Sequence, residues 1–224
     1  MEERLARNFP ALTEREQERL GASRVCIVGC GGLGGYIAEY LTRIGVGKLT
    51  LIDGDSFEPS NLNRQLLATN ATLGRSKAMS AAKRVLSIAP GTELIAHDVF
   101  LDEKNAPALI RGADLVMDAL DSPHARRILA AACREAGLPL VHGAIRGWNA
   151  QIAVCLPGSA ALETLYPENC PLGDKSCLSF TPALCAAIQC AEAVKLLVGR
   201  ESALMGKLLL ADLRYMEFET IPLE

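Results

Sequence analysis

The run RVCIVGCGGLGGYIAEYL (24–41) constrains the fold more than any other part of the chain. Its opening, RVCIVG (24–29), is a short apolar stretch entering glycines and reads as a buried strand. GLGGYIAEYLTRIG (32–45) then carries apolar residues at helical spacing. Between them GCGGLG (29–34) fits G-x-G-x-x-G. In such a loop Gly29 permits the tight turn, Gly31 lets a phosphate approach the backbone, and Gly34 lets the helix pack on the strand. The helix N-terminus offers free N–H groups and a positive dipole end to an anion. Asp53 ends the next strand, KLTLID (48–53), where a carboxylate can accept from ribose hydroxyls. The loop alone does not separate a dinucleotide from ATP. A glycine turn needed only for packing is the plainer alternative.

The remaining elements follow the same alternation. Thr13 and Glu16 form a capping-box signature for a short helix ending near Gly21. GRSKAMSAAKRVLSIAP (74–90) reads as a helix stopped before Pro90, and TELIAHDV (92–99) as a third strand. A helix near 102–111, with Asp102 as its candidate cap, precedes the strand ADLVMDAL (113–120). Ser122-Pro123 opens a further helix running to about Glu135. PLVHGAI (139–145) and AQIAVCL (150–156) are strands, and a loop over 157–180 crosses to a helix from Thr181-Pro182 to near Gly199. GKLLLADL and YMEFETIPL close the chain as a hairpin-like pair. The alternation predicts a Rossmann-like, doubly wound α/β fold, mostly parallel, with antiparallel C-terminal strands. No internal repeat or linker interrupts it, so residues 1–224 are expected to form a single domain with an N-terminal arm and helix at 1–21.

Composition narrows the function. Half of the 224 residues are hydrophobic and 22% are charged, which suits a packed globular chain. A net charge of −3 does not favour nucleic acid or an anionic membrane. MEERLARNFP has no apolar signal core, and no stretch of about 18 uncharged apolar residues predicts a spanning helix. Several of the eight cysteines lie within apolar runs such as RVCIVGC and QIAVCL, which fits a reducing cytoplasm better than a disulfide scaffold.

Two cations after the second strand favour ATP over a nicotinamide. Hydride transfer needs little extra positive charge, whereas attack on a phosphate of ATP develops charge that must be neutralised. Arg64, within SNLNRQ (60–65), and Lys77 supply it from loops beyond the strands' carboxyl ends. Asn61, Asn63 and Gln65 could orient phosphates or cap the loop. Asp118 and Asp121 follow the fourth strand on the same edge and are natural Mg²⁺ ligands. Taken singly, Arg64 and Lys77 could be solvated charges and Asp121 a helix cap.

RVCIVGCGGLGGYIAEYL, GVGKLTLIDGD, SNLNRQ, GRSKA and DALDS resemble, in order and spacing, the ThiF/MoeB/HesA family, bacterial relatives of the ubiquitin-activating enzymes. RLARN (4–8) also looks like that family's N-terminal R-Y-x-R element. The resemblance implies an adenylyltransferase that uses ATP and Mg²⁺ to activate the C-terminal glycine of a small ubiquitin-like sulfur-carrier protein ending in Gly-Gly, of thiamine or molybdopterin type. It implies that Gly29, Gly31, Gly32 and Gly34 hold phosphate and that Asp53 binds ribose. Ser60, Asn61, Leu62, Asn63 and Arg64 would line the nucleotide site. Arg64 and Lys77 would contact phosphates, Asp121 would bind Mg²⁺, and Ser122 would sit beside it. Arg7 would act as an arginine finger in a neighbouring subunit's site, hence a homodimer.

The family's paired C-x-x-C zinc ligands have no counterpart in this sequence. Cys185 and Cys190 lie five apart on a helix and do not share a face, so zinc is not expected. Cys177 falls where relatives place a cysteine that can form a thioester or acyl-persulfide. Near a helix N-terminus its thiol can have a lowered pKa and raised nucleophilicity; a passive loop cysteine or a partnership with Cys170 is the plainer alternative, and adenylation needs no such nucleophile. His97, His124 and His142 are scattered; Trp148 could contact a partner's tail or simply pack, and Arg146 could meet an acidic partner. An NAD-dependent oxidoreductase and a non-catalytic binding member of the same family are the alternative functions.

Overall fold

The computed structural model describes residues 2–170, 173–174 and 176–223. A short 3₁₀ turn, Glu3–Asn8, leads to α1 (Glu14–Ala22), where Thr13 and Glu16 form the expected reciprocal cap. β1 (Arg24–Val28), α2 (Gly34–Ile44), β2 (Lys48–Ile52), α3 (Lys77–Ile88) and β3 (Glu93–His97) follow. α4 (Ala106–Leu109), β4 (Leu115–Asp118), α5 (Pro123–Ala136), β5 (Leu140–Arg146) and β6 (Asn149–Cys155) come next. α6 (Ala161–Leu165), α7 (Phe180–Val198), β7 (Lys207–Asp212) and β8 (Glu217–Pro222) complete the chain.

The strands form one sheet in the order β3-β2-β1-β4-β5-β6-β7-β8. Pairing is parallel from β3 through β5 and antiparallel from β5 to β8, as the sequence pattern anticipates. β1 shows why its run is apolar throughout. Val25 and Ile27 face one core, with α1, α2, α3 and α7, while Cys26 and Val28 face the other, with α4, α5 and α6. Strand order reverses between β1 and β4, and a crevice opens there beyond their carboxyl ends.

Two expectations change. The helix near 102–111 shrinks to α4, whose N-cap position is Asn105. Asp102 instead accepts the amides of Lys104 and Asn105, each at 2.8 Å, in the preceding turn. The 157–180 crossover is not all loop: α6 buries Ala161 and Leu162 against α5, and Tyr166 follows them into that core. Residues 171, 172 and 175 of the crossover lie outside the described residues.

Among the described residues α7 alone is long and apolar enough, by length and composition, to cross a membrane. Its apolarity has a local cause. It packs on β5, β6 and α2, burying Cys185, Ala186, Cys190 and Ala193 in the core. Gln189 donates from the same helix to the carbonyls of Asp118 and Val141.

Candidate functional site

A cavity of about 740 Å³ lies over the crevice between β1 and β4. The glycine loop floors it. Gly29 has φ +94°, and a Cβ there would stand 2.5 Å from the Ala119 carbonyl oxygen. A Cβ on Gly34 would lie 1.7 Å from the Gly29 carbonyl oxygen, so only glycine lets α2 start this close to the end of β1. Gly31 and Gly32 line the cavity with room beside their backbone. Asp53 also lines it, accepting the amides of Cys30 at 2.6 Å and Asp55 at 2.8 Å. Burial pushes its carboxyl pKa up, and those two amides pull against the rise.

Both expected cations reach this wall. Lys77 opens α3 and is only 7% exposed, with Nζ 2.9 Å from Asp55 Oδ2. A lysine this buried is not a solvated surface charge. Arg64 is half-buried, and its Nη1 donates to the Ser60 carbonyl at 2.8 Å and to Asn63 Oδ1 at 2.9 Å. Ser60, Asn61, Leu62 and Asn63 themselves do not line the cavity. Asn61 Oδ1 accepts the Glu58 amide and caps the turn, while Asn63 Nδ2 donates to the Cys177 carbonyl. Gln65, beside Arg64, does line the cavity, with its Oε1 buried and without a hydrogen-bond partner. An apolar wall from Val99, Phe100 and Leu101 completes this end. Those three residues follow an edge strand and carry no motif.

Asp121 lines the cavity and is exposed. Ser122, not Asp121, caps α5, its Oγ accepting the Ala125 amide at 3.2 Å. Asp118 is corrected from Mg²⁺ ligand to core residue. It is fully buried, with Oδ2 2.6 Å from His142 Nδ1 and 3.6 Å from Arg126 Nε. The His142 N–H donates to that carboxylate, which leaves Nε2 to accept the Tyr166 hydroxyl at 3.2 Å. Tyr166 in turn accepts from Arg126 Nη1 at 2.8 Å and from Gln151 Nε2 at 2.7 Å. This network escaped the sequence reading, because β4, α5, β5, β6 and the crossover each supply one member.

His142 gives a pH prediction. Burial lowers its pKa from the ordinary 6.5 against the pull of Asp118. The unfolded chain therefore takes up a proton that the folded chain refuses. Stability should fall as the solution is acidified below that ordinary value, until the folded imidazole itself titrates. Thermal unfolding at about pH 7.5 and about pH 5.5 measures the loss, and His142→Gln should lose less across the same interval. Equal losses in both proteins would reject the assignment.

The remaining candidates divide. Cys177 lines the cavity and bridges to Gly147, but burial raises its thiol pKa, and Arg64 only partly offsets the rise. The lowering that helix proximity allows is thus corrected: Cys177 stands before Ser179, the N-cap position of α7, half-withdrawn from solvent. Arg7 lies far from its own cavity. Its arm is tied to the C-terminal end of α2 through Arg4 to the Thr42 carbonyl and Asn8 to the Ile44 carbonyl. The glycine loop is at the other end of that helix, roughly 16 Å away by helical rise. Arg146 lines the cavity's far end, 3.8 Å from Asp174. Trp148 and Phe180 pack together at a tilt of 49°, with ring centres 5.1 Å apart.

The model of the ThiF family matches residues 3–224. The chain is 38% identical over 212 residues to the SAMP-activating enzyme E1 of Haloferax volcanii, covering 92% of this chain and 78% of that protein. It is 36% identical over 216 residues to the sulfur carrier protein adenylyltransferase of Thermus thermophilus, covering 91% and 80%. Mouse adenylyltransferase and sulfurtransferase MOCS3 is 37% identical over 211 residues, of which the chain spans only 46% of the length. Among solved structures, Escherichia coli MccB with ATP superposes with a TM-score of 0.86 at 19% identity, covering 100% of this chain and 72% of that one. PaaA gives 0.80 at 22% identity, covering 93% and 66%. The last two show the fold.

Proposed function

This chain belongs to the ThiF family, and from that premise we propose that it is an ATP-dependent adenylyltransferase. Its substrate would be the C-terminal glycine carboxylate of a small ubiquitin-like sulfur-carrier protein ending in Gly-Gly, of thiamine or molybdopterin type. Residues 1–224 would act as one adenylation domain. The observation that carries the reading is the buried Lys77 ammonium, which converges with Arg64 on a cavity floored by the glycine loop. Two cations over a phosphate-binding backbone suit a triphosphate under attack better than a dinucleotide's pyrophosphate. The names of the Haloferax and Thermus relatives support the same substrate class.

The chemistry follows from the side chains. Val99, Phe100 and Leu101 offer the base an apolar wall, and Asp53 retains lone pairs for ribose hydroxyls. The triphosphate would lie over Gly31 and Gly32, and Lys77 would leave Asp55 for it. The carrier's carboxylate, already ionised at neutral pH, attacks the α-phosphorus, and pyrophosphate leaves. Arg64 and Lys77 meet the charge that develops on the phosphoryl oxygens. Asp121 adds one carboxylate to a cavity wall that also carries Asp53 and Asp55, and Mg²⁺ is held by one or two carboxylates when substrate phosphates supply the rest. Bound there, Mg²⁺ would neutralise phosphate charge. Arg7, remote from its own site, would enter the cavity of a second copy in a homodimer.

The test is exchange of labelled pyrophosphate into ATP by the full chain, with and without a Gly-Gly-ended carrier. Carrier-dependent exchange supports the proposal. Tight NADH binding with no exchange for any carrier would overturn it. Cys177→Ala should leave exchange within about twofold, because bond formation at phosphorus uses no nucleophile from the chain. A loss of more than about tenfold would put the thiol in the adenylation step.

A further inference from the structure

We infer that Arg126 is a positioning residue for the turn that carries Asp121, and that it ties this turn to the Tyr166 wall of the cavity. The inference borrows from the proposed function only what Asp121 holds. The turn from Ala119 to Ser122 joins β4 to α5 and is gripped from both sides. The Leu120 amide donates to Asp118 Oδ1 at 3.0 Å, while Arg126 Nη2 donates to the Leu120 carbonyl at 2.6 Å. The Ala119 amide donates to the Val28 carbonyl at 2.9 Å, which fixes the turn to the end of β1. Arg126 reaches the turn from the first part of α5, and its Nη1 goes to Tyr166 Oη.

How Arg126 spends its donors carries the point. It is 7% exposed, and a guanidinium so buried normally meets a carboxylate with its two-pronged fork. Asp118 is close enough for that role. Yet the nearest approach is Nε at 3.6 Å, and this Nε is buried with no hydrogen-bond partner. Both terminal nitrogens are turned instead to Leu120 and Tyr166, with Nη2 also 3.5 Å from the Gly143 carbonyl. Asp118 balances the charge, but the fork is aimed at a backbone carbonyl and a phenol. A side chain that forgoes its strongest bonds in favour of these two is placed to hold backbone.

Amide hydrogen exchange on the full, ligand-free chain reads this directly at Leu120. Tyr166→Phe keeps the charge pair but frees Nη1 to swing toward Asp118. Arg126→Lys keeps the charge but cannot serve both acceptors. We expect Leu120 exchange to rise about tenfold in Tyr166→Phe and on the order of a hundredfold in Arg126→Lys, with β1 amides unchanged. Mn²⁺ titrated with a non-hydrolysable ATP analogue should bind about tenfold more weakly to both variants, as for loss of a group that orients a metal ligand. The analogue without metal should bind as it does to the wild type. Wild-type Leu120 exchange in the folded variants overturns the inference. If Arg126→Lys does not fold, Tyr166→Phe decides alone. A wild type that binds no metal–nucleotide would count against adenylation, while the exchange comparison would still settle the positioning role.

Discussion

Alanine at Arg64 or at Lys77 should slow adenylate formation by on the order of a hundredfold or more in each case. Attack at the α-phosphorus spreads negative charge over the phosphoryl oxygens and the departing pyrophosphate, and these two cations stand at the glycine-loop end of the cavity. The other cations on its lining are engaged elsewhere: Arg126 with Leu120 and Tyr166, Arg146 beside Asp174. Lys77 is prepared by burial, so little solvent need be stripped from it when phosphate arrives. Its loss should not unfold the protein, since the abandoned Asp55 carboxylate is 55% exposed and can be hydrated. Single-turnover adenylate formation, with thermal unfolding as the control for folding, measures the effect. Both variants reacting within about threefold of wild type would remove Arg64 and Lys77 from the catalytic group.

The second large effect is on stability. Asp118→Ala is expected to destabilise the fold by about 3–5 kcal/mol, the usual consequence of stripping one partner from a buried ion pair. Asp118 is fully buried, and its removal leaves the Arg126 guanidinium without a countercharge and His142 without the acceptor that sets its tautomer. Set against a total of about 5–15 kcal/mol for an ordinary domain, this populates the unfolded state visibly. Urea titration followed by circular dichroism gives the value. Asp118→Asn should lose less, because the amide oxygen can still accept the Leu120 N–H. A loss below about 1 kcal/mol in the alanine variant would mean that the pair does not hold the centre of the sheet together.

Asp118 also shows where sequence reasoning stops. As the last residue of its strand and the first aspartate of DALD (118–121), it has the chemistry and the sheet edge of a metal ligand. What decides its role is His142, 24 residues away, and Arg126 one turn into the next helix, and neither is local to the strand. Asp121, three residues on, lines the cavity instead. The glycine loop was legible because its requirement is written in backbone sterics: a Cβ at Gly34 would meet the Gly29 carbonyl. Thr13 with Glu16 and Ser122 with Pro123 were legible for the same reason, since caps are short-range. α6 was missed because Ala161–Leu165 offers little more than one helical turn, too short for periodicity to register. The Cys177 thiol stayed undecided because helix proximity can be read from order, whereas burial cannot.

Adenylation at this loop is tested most directly by where the triphosphate lies. A crystal structure with Mg²⁺ and a non-hydrolysable ATP analogue should show phosphate oxygens against the backbone N–H groups of Gly31 and Gly32. Arg64 and Lys77 should contact them, with Lys77 Nζ parted from Asp55. A nucleotide bound elsewhere, with Lys77 still on Asp55 and Arg64 still folded onto the Ser60 carbonyl, would contradict it.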